Sequence, residues 1–159
     1  MEIRDARIPF SSRNSEFDAI IKANQKKKHI IFNKFDLCDQ KKTQKIINDY
    51  QEYGIQCFAV STKNHDDMRK IIGVLRANYE RKYEKVGLWL AICGMPNVGK
   101  SSIINQVRMI SDLKNKTGAA KATASVATTK GVSGFKILQN PLMFLMDSPG
   151  VMVPSNIHP

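Results

Sequence analysis

An α/β three-layer sandwich on a mostly parallel sheet is the fold this chain predicts, from three observations. Short apolar runs at residues 29–32, 56–60, 86–93 and 142–146 read as buried strands, and the spacings between them leave room for single helices. Met68, Ile71, Ile72, Leu75 and Tyr79 fall at helical spacing, so the stretch from 63 to 85 reads as one helix, with Asp66 and Asp67 in the first turn where the helix dipole favours acid. A length of 159 residues with 42% hydrophobic content suits a single domain with one sizeable core.

The strand at 86–93 leads into Gly94-Met95-Pro96-Asn97-Val98-Gly99-Lys100-Ser101, and 102–107 continues it as a helix. This is the strand, loop and helix of a phosphate-binding loop. Glycines at both ends let the backbone curl so that its N–H groups, including those of Val98 and Gly99, converge on a phosphate that side chains would otherwise block. Lys100 reaches β- and γ-phosphate oxygens, Ser101 offers its hydroxyl to Mg²⁺, and Ser102 lies in the positively polarised first turn. A glycine turn that only links strand to helix does not require the whole pattern.

Asp147 closes the run at 142–146 and opens Asp147-Ser148-Pro149-Gly150, a D-x-x-G in which the carboxylate holds Mg²⁺ through water and the Gly150 N–H senses a γ-phosphate. Alone this is only a turn. Next to a phosphate loop it becomes a metal site.

The run at 29–32 ends in Asn33-Lys34-Phe35-Asp36. The Asp36 carboxylate accepts from guanine N1–H and its 2-amino group, a pair adenine does not offer. The aliphatic stem of Lys34 lies over the base, and Asn33 ties the base motif to the phosphate loop. Ser61-Thr62-Lys63, after the run at 56–60, supplies a backbone N–H for guanine O6. The base motif precedes the phosphate loop, which is a Ras-like P-loop order cut between its third and fourth strands and rejoined through the helix after Lys63. The chain therefore reads as a circularly permuted GTPase.

The opening Ile3-Arg4-Asp5-Ala6-Arg7-Ile8-Pro9-Phe10-Ser11-Ser12-Arg13-Asn14, the permuted motifs and the stretch from Pro141 to Val151 resemble the ribosome-biogenesis GTPase A family, its eukaryotic mitochondrial branch most of all. The resemblance covers essentially the whole chain. It implies binding of GTP and GDP with Mg²⁺, slow hydrolysis of GTP, and a switch role in maturation of the large ribosomal subunit through its rRNA. It also implies a K⁺ ion held by Asn97, a site completed by the ribosomal particle, and a mitochondrial matrix location with the cytoplasm as alternative. Family members carry Pro-Gly-hydrophobic-Thr in switch I, where this chain has Val126-Ala127-Thr128-Thr129-Lys130-Gly131. Thr129 aligns as the Mg²⁺ ligand, with Thr128 as substitute. Lys100, Thr129 and Gly150 are then the groups expected to act on the γ-phosphate. Ser148 stands where the family has Thr.

The family carries a further helical RNA-contacting domain downstream, so residues 1–159 are expected to be a GTPase domain cut from a longer protein. Its start is expected to be clipped, with Met1-Glu2-Ile3 too short for the strand that should precede Asp5. The chain also ends at Pro159, before the helix that should follow switch II.

Twenty-five basic against 14 acidic residues give a net charge of +11. Lys22, Lys26, Lys27, Lys28 and Lys34 gather near the base motif, and Lys114, Lys116, Lys121, Lys130 and Lys136 run through switch I. Such density is often only a solvated face. Here it favours a phosphate backbone as partner, with an acidic protein as competitor, and the scarcity of aromatics there gives no indication of base stacking. The stretch 114–130 holds almost no bulky apolar residue and is expected to order only around a γ-phosphate. No apolar run approaches the roughly 20 residues of a membrane span. Cys38, Cys57 and Cys93 lack metal-ligand spacing and read as buried thiols of an intracellular protein, and His29, His65 and His158 are scattered. A monomer is the expected state.

Where Ras-like enzymes place a water-orienting glutamine after D-x-x-G, this chain has Val151, and Arg108 lies too far along its helix to be an arginine finger. Three functions compete: a GTPase switch, an RNA-binding scaffold that holds nucleotide without turnover, and an ATP-dependent P-loop kinase. Asp36 and the absence of an arginine-rich lid argue against the kinase.

Overall fold

The computed structural model describes residues 1–80, 84–115, 126–127 and 133–147, with backbone alone at 112–115, 126–127, 133, 135 and 147. Chain order is β1 (Glu2–Asp5), α1 (Ser15–Ala23), β2 (His29–Asn33), a 3-10 turn (Phe35–Leu37), α2 (Gln40–Glu52), β3 (Gln56–Ala59), α3 (His65–Ala77), β4 (Leu88–Ile92), α4 (Lys100–Asn115), β5 (Val126–Ala127), β6 (Ser133–Leu138) and β7 (Met143–Asp147).

β1, β2 and β3 pair in parallel, as do β4 and β7, whereas β6 runs antiparallel to β7 and β5 antiparallel to β6. A bridge between Glu2 and Cys93 joins the two sets: Ile3 N–H donates to Cys93 O at 2.8 Å and Cys93 N–H to Met1 O at 3.0 Å. The strands therefore run β3-β2-β1-β4-β7-β6-β5, and β1 lies inside the sheet. β1 pairs with β2 over Glu2–Asp5 and meets the β4 side through the single bridge at Cys93.

Strand alternation sorts side chains onto two faces. Ile3, Ile31, Ile92, Met143 and Leu145 join Met68, Ile71, Ile72 and Leu75 of α3 and Ile103, Ile104 and Val107 of α4 in one core. Ile30, Phe32 and Cys57 face the other way and pack with Ile47 of α2. These are the three layers. Each of the first three helices opens on a capping side chain: Asn14 accepts from Phe17 N–H at 3.1 Å, Asp39 from Lys42 N–H at 3.2 Å and Asn64 from Asp66 N–H at 2.9 Å.

The helix expected across 63–85 ends at Ala77. Asn78 caps it by donating Nδ2 to Val74 O at 2.9 Å, and Tyr79 packs against the core from outside the helix. The run expected as a strand from Val86 begins at Leu88, because Gly87 turns with φ at +78°. Cys57 and Cys93 are buried, Cys38 is partly exposed, and all three are free thiols. Burial pushes the Cys93 thiol up to about 12. Among the described residues no helix is long and apolar enough to cross a membrane.

Candidate functional site

The described motif residues collect where parallel strands end. β2 delivers Asn33, the turn after it Lys34 and Asp36, the loop after β3 Ser61, Thr62 and Lys63, and the β4–α4 loop Asn97, Val98 and Gly99. Lys100, Ser101 and Ser102 form the first turn of α4. Asp147 closes β7 opposite Ile92, so its backbone lies beside the start of the phosphate loop. Thr128, Thr129 and Gly150 lie outside the described residues, as does most of the stretch expected to order around a γ-phosphate.

The phosphate loop depends on its glycines. Gly94 has φ at +147°, and a Cβ there would run into the Ile3 carbonyl of β1. At Gly99, with φ at +98°, it would strike Asn33 Nδ2. That closeness has a partner: Asn33 Nδ2 donates to Val98 O at 2.9 Å, joining base motif to phosphate loop across 65 residues of sequence. Asn33 Oδ1 is buried with no hydrogen-bond partner among the described residues. The Lys100 ammonium curls into the loop, donating to Gly94 O at 2.8 Å and Met95 O at 2.9 Å.

Asp36 sits on the turn with both carboxylate oxygens engaged. Ser61 Oγ donates to Oδ1 and Lys63 Nζ to Oδ2, each at 2.8 Å. Lys63 and then Ser61 hold this carboxyl below its usual range. The loop is braced from behind: Ser61 N–H donates to Asp67 Oδ2 at 3.0 Å, and Phe35 N–H to Val60 O at 3.1 Å. Asp67, read from sequence as a helix-dipole residue, thus also fixes the loop before α3.

Lys34 is not part of a free basic patch. It adopts the left-handed conformation, with φ at 64°, and donates Nζ to Asp5 Oδ2 at 2.8 Å and to Asn97 O at 2.6 Å. Lys28 is likewise committed, to Glu2 at 2.6 Å and to Asp18, and Lys27 pairs with Glu80. The lysine cluster read near the base motif is therefore largely spent on intramolecular pairs, leaving Lys22 and Lys26 exposed. Sequence density counts charges without their partners. Asp5, marked in the sequence only as part of an opening motif, is held well below the usual carboxylate range by Arg7 against the opposing effect of burial, with Lys34 adding to it.

Among the described residues no cluster of three acidic, histidine or cysteine side chains could hold a metal by itself.

Comparison with known proteins agrees with this architecture. The chain is 33% identical over 162 residues to mitochondrial ribosome-associated GTPase 1 of Mus musculus, covering 97% of the chain and 48% of that protein. It is 30% identical over 160 residues to Short integuments 2, mitochondrial, of Arabidopsis thaliana, covering 98% and 41%. It thus spans less than half the length of these curated relatives. Among solved structures, GNP-bound YlqF from T. maritima superposes with a TM-score of 0.65 at 25% identity over 99% of this chain and 54% of that one. The GDP-bound structure of TM YlqF gives 0.66 at 22% identity, covering 98% and 54%. The fold is therefore that of a circularly permuted P-loop GTPase. The family model described as RsgA GTPase matches residues 15–155, and the chain belongs to that family.

Proposed function

We propose that the chain is the guanine-nucleotide domain of a longer protein, hydrolysing GTP to GDP and phosphate as a switch in assembly of the large ribosomal subunit. The observation that carries this reading is the Asn33–Val98 bond, which fastens a guanine-reading turn to a phosphate loop so that one nucleotide spans both. Asp36 reads the base, Lys34 covers it, and the loop at Ser61, Thr62 and Lys63 meets O6. The amides of Val98 and Gly99 with Lys100 and Ser102 hold the phosphates. Mg²⁺, when bound, neutralises charge on the β- and γ-phosphates; Ser101, Asp147 and Thr129, or Thr128 in its stead, would hold it. Asn97, exposed at the tip of the phosphate loop, would contribute a ligand to K⁺. The relatives' names support a ribosomal partner and the mitochondrial matrix, and their greater length supports a further domain beyond the one described.

Titration with GTP, GDP and ATP tests the base reading. Guanine nucleotides should bind, and Asp36→Asn should weaken GDP by roughly tenfold while improving xanthosine diphosphate, because the amide replaces one of the two acceptors guanine needs with a donor. Equal affinity for ATP and GTP overturns the reading.

Scaffolding without turnover is favoured by one observation, Val151 where a glutamine would orient water. Phosphate release separates the two. The chain alone should be slow, faster in K⁺ than in Na⁺, and accelerated by large-subunit particles in a manner that rising salt suppresses. No release under any of these conditions favours the scaffold, and fast release indifferent to cation and particles shows that the water is positioned by an unassigned residue.

A further inference from the structure

The Asp5-Ala6-Arg7 opening marks the chain in sequence, yet nothing so far gives it chemistry. Asp5 ends β1 at 3% exposure, and its carboxylate is saturated. Oδ1 accepts from Arg7 N–H at 3.0 Å and Arg7 Nε at 2.9 Å; Oδ2 accepts from Arg7 Nη2 at 2.7 Å and Lys34 Nζ at 2.8 Å. Arg7 alone would have neutralised this carboxylate with a two-pronged pair. Lys34 adds a second tether, whose other end is the phosphate-loop carbonyl of Asn97 at 2.6 Å. The turn carrying Asp5 is itself pinned. Ala6 N–H donates to Asn33 O at 2.8 Å, Asp5 N–H to Ser12 Oγ at 3.1 Å, and Ser12 Oγ to Ile8 O at 2.7 Å.

A lysine side chain loses up to about 2 kcal/mol of rotamer freedom when it is ordered. If that ordering awaited the nucleotide, the cost would be deducted from affinity. Here the cost is met by contacts within the chain, because the left-handed backbone fixes one end of Lys34 and its bonds to Asp5 and Asn97 fix the other. Between these ends the four methylenes form a strip of defined position, suited to lie flat on a purine.

We infer that Asp5 is a positioning residue for the guanine site, raising nucleotide affinity through Lys34 without touching the nucleotide. This rests on the guanine-nucleotide reading above. Arg7 keeps the carboxylate ionised and aligned. Lys34 transmits its position to the base and, through Asn97, to the edge of the phosphate loop.

A double-mutant cycle on GDP affinity of the whole chain tests it, with Asp5→Asn, Lys34→Met and both together, alongside nucleotide-free melting curves for all four proteins. Asp5→Asn should weaken GDP by about tenfold, the size of one hydrogen bond between charged groups. In the Lys34→Met background the same change should alter affinity less than about twofold, since the group it acts through is gone. An equal loss in both backgrounds would mean that Asp5 merely supports the fold, and no loss in either would mean that Lys34 needs no anchor; both overturn the inference. Should Asp5→Asn fail to fold, the cycle is run with Asp5→Glu, which keeps the charge but displaces it by a methylene. Absence of GDP binding in the parent chain overturns the functional reading itself, and this inference with it.

Discussion

Glu2→Ala should destabilise the nucleotide-free chain by about 3–5 kcal/mol, the range for stranding a buried charge. Glu2 is fully buried on β1, an inner strand, and its carboxylate serves three donors: Arg4 Nη2 at 2.8 Å, Lys28 Nζ at 2.6 Å and Asn14 N–H at 3.0 Å. Arg4, two residues on and so on the same face of β1, is 1% exposed and reaches Tyr50 OH at 2.9 Å with its guanidinium 5.5 Å from that ring. Without Glu2 the guanidinium keeps only a phenol and a π-face, while Lys28 keeps Asp18. The loss is a large part of the 5–15 kcal/mol typical of a domain and should lower the melting temperature by about 10 °C.

Acid should reproduce the effect. Burial pushes the Glu2 carboxyl up, but hydrogen bonds from Arg4, Lys28 and Asn14 outweigh it and hold the group below its ordinary value. A carboxyl depressed in the folded state contributes stability that is present above the unfolded value, about 4.3, and lost as pH falls through the folded one. The gap between parent and Glu2→Gln in urea unfolding should therefore be widest near neutrality and narrow as pH falls below about 4.3 toward the lower folded value. Replacing Glu2 and Arg4 together by Leu and Met should cost less than Glu2→Ala alone, because no guanidinium is then stranded. A double variant less stable than the single one would show that the pair itself, and not the orphaned cation, carries the stability.

Those same residues show where sequence reasoning stops. The phosphate loop was legible because its glycines answer to local backbone demands at Gly94 and Gly99, and because a lysine and a serine at fixed spacing have few other uses. The helix at α3 was legible from its four buried apolar residues, and its end was not, since an asparagine cap looks like any other polar residue. The burial of β1 is not legible, because Glu2, Arg4 and Asp5 carry no hydrophobic pattern; it depends on Lys28, Lys34 and Tyr50, which arrive from other segments. The lysine cluster misled for the same reason. α2 gives little signal of its own, since only Thr43 and Ile47 are buried and Ile46 and Tyr50 are its other nonpolar or aromatic residues. β6 went unread because Ser133-Gly134-Phe135-Lys136-Ile137-Leu138 follows directly on a small-residue stretch that carries no strand signal. Local rules give elements and loops, whereas pairing across the sheet decides which charges are free.

For function the largest loss should follow Lys100→Ala. This ammonium is held by two carbonyls of its own loop, Gly94 O at 2.8 Å and Met95 O at 2.9 Å. On the proposed reading, a bound nucleotide would offer this ammonium phosphate oxygens in place of neutral acceptors. Hydrogen bonds between charged groups are roughly twice as strong as neutral ones, about 1.5–3 kcal/mol each, so losing contacts to both the β- and γ-phosphates should weaken GTP by about a hundredfold or more. GDP, which keeps only the first contact, should suffer less. The fold should tolerate the change, since Gly94 O and Met95 O turn to water once released, and the nucleotide-free melting temperature should move by only a few degrees. Ser101→Ala separates metal from phosphate: the gain in GTP affinity on adding Mg²⁺ should shrink while affinity measured in a chelator stays near that of the parent. Calorimetric titration of GTP and GDP into the three proteins, with Mg²⁺ and with chelator, reads all of these. If Lys100→Ala binds GTP within twofold of the parent, the phosphates do not sit in this loop. If it loses GTP and GDP equally together with its melting transition, the lysine is a structural clasp of the β4–α4 turn and the hundredfold loss says nothing about charge.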